Sequence, residues 1–200
     1  MKVLFFVDTH ANMEFINEII RKSEKAELLV CAGDLSKMGM GFGESVEKLN
    51  SIGKKILIIP GNNETPEFVK TGISEYENFV FIEQEIYEDN GITFLGIGSC
   101  IPSPWNTPYE LTDEQVWNLM KKFNGKKIDV LVSHSPPKKT ILDQLPNGLS
   151  IGSFSIGNWI ENNQPRYCCC GHVHENAGKE IKLGKTIIFN PGPKGKIIEI

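Results

Sequence analysis

No stretch of this 200-residue chain is apolar for the roughly 20 residues that a membrane-spanning helix needs. Excess positive charge is also missing. The formal net charge is -4, which argues against a general nucleic-acid binder and against adhesion to anionic membrane. Lysine pairs at 54–55, 121–122, 126–127 and 138–139 are dispersed and read as solvated ends of elements. The five cysteines contain no Cys-x-x-Cys pair, so a thiolate zinc site is excluded. Cys168, Cys169 and Cys170 are consecutive, and neighbouring strand residues point to opposite faces. They read as small buried apolar residues in a reduced compartment. At the amino terminus one lysine precedes VLFFV, which meets Asp8 too soon to form the core of a secretory signal. The cytoplasm is the expected location. Histidine is scarce too, with only four in the chain.

What is present is a core. Forty per cent of the residues are apolar, enough for one domain spanning residues 1–200. Residues 3–7, 28–31 and 56–59 are near-continuous apolar runs, as expected of strands buried on both faces. Between them, 12–24 carries Phe15, Ile16, Ile19 and Ile20 at helical spacing, and 44–51 carries Val46 and Leu49. This order predicts parallel strands joined by right-handed crossovers. Residues 79–82, 85–88 and 92–96 read as shorter strands, with Asn90-Gly91 as a hairpin turn. They predict an antiparallel element grafted onto the parallel half. A proline-rich loop over 98–110 precedes a helix that starts at Thr112 with a capping box and ends at Gly125. A strand over 128–132, a loop over 135–152, a short helix over 153–162 and a strand over 167–170 follow. The tail, 179–200, reads as strands separated by turns.

The four histidines all sit where apolar runs end. They are His10 in VDTH, His134 in VSHS, and His172 and His174 in CGHVHE. Asp8, Asp34 in CAGD and Asn62 in IPGNNE stand at further run ends. Loops at the carboxyl ends of strands converge in open α/β sheets. Seven donors exceed the four that one tetrahedral zinc takes and suit two metals with one shared carboxylate. Glycines at 33, 61 and 171 stand just before ligands and allow close backbone approach. Oxygen and nitrogen donors without thiolate fit Mn, Fe, Zn, Ni or Co better than Ca, with Mn favoured.

The ordered set D-x-H, G-D, G-N-N-E, S-H and G-H-x-H, spanning residues 8 to 174, resembles the calcineurin-like metallophosphoesterase superfamily. The SHSPP stretch and the GHVHE…NPGP tail further resemble its small Icc-like prokaryotic members. The resemblance implies an α/β fold, a four-layer α-β-β-α sandwich with two mixed β-sheets and the metal site at strand carboxyl ends. It implies that Asp8, His10 and His174 hold one divalent metal ion, that Asn62, His134 and His172 hold the other, and that Asp34 bridges them. It further implies a dinuclear metal-dependent phosphoesterase, most of all a phosphodiesterase acting on a small phosphate ester. A metal-bridging hydroxide would attack phosphorus in line.

One position departs from that family's pattern. Asn63 stands where G-N-H places a histidine thought to protonate the leaving oxygen or stabilise the transition state. Asn63 is the candidate catalytic residue there, but an amide donates a hydrogen bond and no proton near neutral pH. This departure is the motive for an alternative reading, a non-catalytic interaction scaffold of the same fold. The intact donor set argues against it. A nuclease is the least favoured reading. Asn12 is read as a helix cap, and Glu64 as either a turn cap or a group orienting a ligand. Trp105 and Tyr109 are read as substrate contacts. Lys138 and Lys139 are read as solvated.

Overall fold

The computed structural model describes residues 1–103 and 105–200, so Pro104 of the proline-rich loop lies outside the described residues. The first half builds one sheet. Strands β1 (Lys2–Phe6), β2 (Leu28–Cys31), β3 (Ile56–Ile58) and β4 (Phe79–Phe81) pair in parallel in that order. Helices α1 (Met13–Ser23), α2 (Phe42–Asn50) and α3 (Pro66–Gly72) make the crossovers. Asn12 caps α1 by accepting from the Glu14 amide at 2.9 Å, as its sequence position predicts. Helix α3 was not expected, although its start carries a readable signal. Thr65 accepts from the Phe68 amide and Pro66 opens the first turn.

The second sheet begins with the hairpin of β5 (Ile86–Asp89) and β6 (Ile92–Ile97), turning at Asn90-Gly91. Both turn residues have positive φ, as a tight two-residue hairpin requires. The antiparallel element therefore opens a new sheet rather than extending the first. Strand β4, grouped with it on sequence grounds, instead pairs in parallel with β3. The second sheet runs β5-β6-β7-β8-β10-β9, with β7 (Val130–Ser133), β8 (Tyr167–Cys169), β9 (Glu180–Leu183) and β10 (Thr186–Phe189). Helices α4 (Asp113–Met120) and α5 (Phe154–Asn163) cover its outer face. The expected capping box at Thr112 is formed with Gln115, and a short 3₁₀ turn over Lys121–Phe123 follows α4. The last strand, β11 (Lys196–Glu199), returns to the first sheet antiparallel to β1.

Three apolar clusters separate four layers. Leu4, Phe6, Leu29 and Ile58 face Ile16, Ile19, Val46 and Val69 of the first helical layer. Val3, Phe5, Val30 and Leu57 face Phe94, Val130, Val132 and Phe189 across the two sheets. Leu95, Leu131 and Ile188 face Val116, Met120, Trp159 and Ile160 of the second helical layer. Strand alternation produces this division. The cysteine run obeys it, with Cys169 between the sheets and Cys168 and Cys170 under the helices. The cysteines are free and buried, which excludes a disulfide among them. Among the described residues no helix is long and apolar enough to cross a membrane.

The chain passes from one sheet to the other at Glu83, which bridges to Gly96. Its buried carboxylate accepts from the Gly98 amide at 2.6 Å and from the Tyr109 hydroxyl at 2.9 Å. Burial pushes its pKa up to about 7, against the opposing hydrogen bonds. The unfolded chain releases this proton near the ordinary value of 4.5. The folded state therefore holds a proton that the unfolded state has lost, and stability falls as pH rises from about 4.5 through about 7. Urea denaturation of Glu83→Gln should show a shallower fall than wild type over this window. A variant with the wild-type pH slope would show that Glu83 does not titrate there.

Candidate metal centre

The carboxyl ends of five strands meet at one mouth between the sheets. Asp8 and His10 follow β1, Asp34 follows β2 and Asn62 follows β3, all in the first sheet. His134 follows β7, and His172 and His174 follow β8, in the second. The seven donors that the sequence singles out are therefore neighbours in space, although they span residues 8 to 174.

The donors form two overlapping groups. Ligand atoms of Asp8, His10 and His174 lie within 4.8 Å of one another, and so do those of Asp8, Asp34 and His134. Asn62 Oδ1 lies 2.9 Å from His134 Nε2 and 2.8 Å from His172 Nδ1. The two groups share Asp8, and Asp34 Oδ2 lies near a histidine of each, 3.8 Å from His10 Nε2 and 3.7 Å from His134 Nε2.

The backbone is bent to make this possible. Asp8, His10, Asp34 and His172 all adopt positive φ, between 47° and 68°. Non-glycine residues held there cost about 1–3 kcal/mol each and persist only where surrounding contacts fix them. Those contacts are backbone hydrogen bonds between the strand-end loops. Asp8 N donates to Gly33 O at 3.1 Å, His10 N to Asp34 O at 3.0 Å, and Ala11 N to Leu35 O at 2.8 Å. The expected close approach at the glycines is present. A Cβ on Gly61 would overlap Asp34 Oδ1, and one on Gly171 would overlap Val7.

Two observations test whether these residues fit a cation. Asp8 Oδ1 is buried and has no hydrogen-bond partner, although Asp8 Oδ2 accepts from the His172 amide at 3.0 Å. An orphaned buried carboxylate oxygen is costly unless something positive faces it. The second observation concerns the imidazoles. His134 Nδ1 lies 3.0 Å from the Ala32 carbonyl oxygen, and His10 Nδ1 lies 3.1 Å from that of Ser36. A carbonyl only accepts, so each Nδ1 carries the hydrogen and each Nε2 lone pair turns toward the site. The His134 lone pair then faces Asn62 Oδ1, acceptor against acceptor. That is the arrangement of ligands around a metal ion.

The electrostatics agree. Burial, with the neighbouring His134 adding to it, lowers His172 to about 3. Burial also lowers His134 and His174. Neutral imidazole is the form that binds metal. Burial first, and then the charge of Asp34, raises Asp8 well above the usual carboxylate range. Burial and Asp34 likewise push Glu64 up to about 7.

Glu64 caps its own turn through the Gly61 amide and also orients the neighbouring Asp34 loop, while Thr65 caps α3. Its Oε1 accepts from the Ser36 amide at 2.7 Å and hydroxyl at 2.6 Å, and its Oε2 from the Gly61 amide at 3.2 Å. This ties the Asp34 loop to the Asn62 loop. Asn63 is held in the same web. Its backbone amide donates to Asp34 Oδ1 at 2.9 Å, its side-chain Nδ2 donates to Asp34 Oδ2, and its Oδ1 accepts from the Met38 amide at 3.2 Å. It lines the cavity while positioning Asp34.

The cavity over the donors is about 250 Å³. Trp105 lines it, whereas Tyr109 does not. The Tyr109 hydroxyl donates to Glu83, and its ring lines a neighbouring cavity. Lys138 and Lys139 sit over the Phe154 ring, at 5.0 and 5.3 Å, and do not line the site. Sequence reasoning missed Thr107, Leu145, Ile151 and Glu175, which complete the lining. Nothing in their local pattern separates them from ordinary loop residues.

Comparison with known proteins places this geometry. The family described as calcineurin-like phosphoesterase matches residues 1–176. A protein of Methanocaldococcus jannaschii described only as uncharacterized is 35% identical over 207 residues, covering 99% of this chain and 91% of its own. A probable glycerophosphodiester phosphodiesterase of Arcobacter nitrofigilis is 28% identical over 183 residues, covering 84% of this chain and 64% of its own. A solved structure from Thermus thermophilus shares the fold at a TM-score of 0.74 and 14% identity, covering 96% of this chain and 88% of its own. With the two mixed sheets between helical layers and the ordered motifs at their strand ends, the chain belongs to the calcineurin-like phosphoesterase family.

Proposed function

We propose that the protein is a dinuclear metal-dependent phosphodiesterase acting on a small phosphate ester. The observation that carries this reading is the grouping of His10, Asp34, His134 and His174 with Asp8, whose buried Oδ1 is orphaned, while Asn62 Oδ1 joins His134 to His172. Asp8, His10 and His174 would hold one divalent ion, and Asn62, His134 and His172 the other, with Asp34 shared. Two such ions, Mn before Fe, Zn, Ni or Co, would supply the Lewis acidity that activates water and offsets phosphate charge.

The chain's own residues do the rest. Asn63 holds Asp34 directly through two hydrogen bonds, and four more, from Met38 to Asn63 and from Ser36 and Gly61 to Glu64, tie the flanking loops together. His134 and His10 are held in the Nε2-facing tautomer by carbonyl groups. Among the described residues lining the cavity there is no lysine or arginine, and Glu175 adds a carboxylate. A phosphomonoester dianion would find no side-chain cation there, while a diester brings only one negative charge. The Arcobacter relative, of which this chain spans 64% of the length, carries a phosphodiesterase name. The scaffold alternative leaves the orphaned Asp8 oxygen without a purpose.

Two substitutions test the reading. Asp34→Asn should reduce hydrolysis of bis(4-nitrophenyl) phosphate by more than about 100-fold, since even outer partners of metal ligands cost up to about that much. An active Asp34→Asn protein would exclude the shared-ligand role. The second test concerns leaving groups. Asn63 supplies no proton, and general-acid help is worth about 10²–10⁴ in rate. Activated aryl diesters should therefore be cleaved far faster than alkyl diesters, and Asn63→His should raise the alkyl rate. Equal wild-type rates on both classes would show that protonation of the leaving oxygen is supplied by another group.

A further inference from the structure

The walls of the cavity are as informative as its floor. Trp105 and Thr107 come from the loop after β6, and Leu145 and Ile151 from the loop after β7. Trp105 is 58% exposed, a large aromatic surface left beside a polar donor cluster rather than packed into a core. Three apolar side chains on two loops thus border a site whose floor is wholly polar. This is the composition of a small-molecule site, in which apolar walls bind and a few polar groups orient.

Hydrogen bonds gather the described residues of both loops. Glu110 gathers the first: its Oε1 accepts from the Ser103 hydroxyl at 2.7 Å, the Thr107 amide at 3.0 Å and the Thr107 hydroxyl at 2.8 Å. The Tyr109 amide donates to Asn62 O at 3.1 Å, which docks this loop onto the metal-ligand loop itself. Buried Asp143 gathers the second, accepting from the Thr140 amide at 3.0 Å and from the Ser150 hydroxyl. Asn176 Nδ2, one turn beyond His174, donates to Leu142 O at 2.9 Å and Gln144 O at 3.1 Å. Leu145 and Ile151 are thereby fixed relative to the histidine loop. A wall positioned before the ligand arrives loses little entropy on binding.

We propose that Trp105, with Leu145 and Ile151, forms a preorganised subsite for an aromatic or heteroaromatic ring carried on one arm of the phosphodiester. The proposal rests on the phosphodiesterase reading and narrows it. Glu175 and the absence of lysine and arginine among the described lining residues select an arm without a further phosphate. An aryl or nucleoside arm meets both conditions, and a polyphosphorylated arm fails the second.

The test holds the leaving-group chemistry aside. Diphenyl phosphate and dimethyl phosphate are compared as competitive inhibitors of bis(4-nitrophenyl) phosphate turnover by the metal-loaded protein. Stacking of one ring corresponds to about tenfold or more in affinity. The inhibition constant of diphenyl phosphate should be lower than that of dimethyl phosphate by about that factor. Trp105→Ala should erase this gap while leaving the constant for dimethyl phosphate in place, and Trp105→Phe should restore most of it. Equal constants in wild type would overturn the subsite, as would a Trp105→Ala variant that keeps the gap or weakens both inhibitors alike. Tryptophan fluorescence titrated with diphenyl phosphate reads the same binding without turnover. Quenching in the wild type that Trp105→Ala loses supports the subsite, and no quenching overturns it. A protein that shows this quenching but hydrolyses no diester would refute the phosphodiesterase reading and leave the ring subsite standing.

Discussion

The structure is organised around two buried carboxylates, Asp8 and Asp34, facing four imidazoles across the mouth between two sheets. Such a cluster is unfavourable by itself. Burial and the charge of Asp34 raise the proton affinity of Asp8, and Asp8 Oδ1 has no hydrogen-bond partner. Four of the donor residues sit in the left-handed region of backbone space. The three apolar layers supply the stabilisation that offsets these costs, since their strands run up to the site and stop there. The loops beyond are stitched to one another by main-chain hydrogen bonds, leaving the side chains one common direction to point.

That organisation divides labour between the sheets. The first contributes the oxygen donors Asp8, Asp34 and Asn62, with His10 beside them, and the second contributes the other three imidazoles. The site exists only where the sheets face each other. Glu83, at the crossing from one sheet to the other, is tied through Tyr109 to the same loop that carries Trp105. The carboxylates Glu64, Glu83, Glu110 and Asp143 thus share a role, gathering amides and hydroxyls so that the loops around the donors are rigid. For the buried Glu64 and Glu83 this comes at some cost in stability near neutral pH, because burial raises both to about 7.

Much of this was legible in the sequence because each donor stands at the end of an apolar run. Burial on both faces makes such runs continuous, and parallel pairing puts their carboxyl ends together. Periodicity also located α1, α2, α4 and α5 to within a few residues. The allocation of β4 was not legible, because three residues carry no information about which sheet they join. Helix α3 was overlooked for a different reason. It is only seven residues long, with Val69 its single fully buried residue, so its Thr-Pro start was the stronger signal. At the site, Asn63 was visible as a departure from a pattern, yet its grip on Asp34 and Met38 depends on how the 37–40 turn folds back. The walls formed by Leu145, Ile151 and Glu175 come from packing between loops distant in sequence, which local composition does not encode.

If the seven donors form one centre for two divalent ions, each chain should take up two. Calorimetric titration of Mn²⁺ into metal-free protein measures it directly. Two ions should bind per chain, with both lost or greatly weakened in Asp34→Asn if that carboxylate is shared. A stoichiometry of one, or two ions whose binding is unaffected by Asp34→Asn, would contradict it.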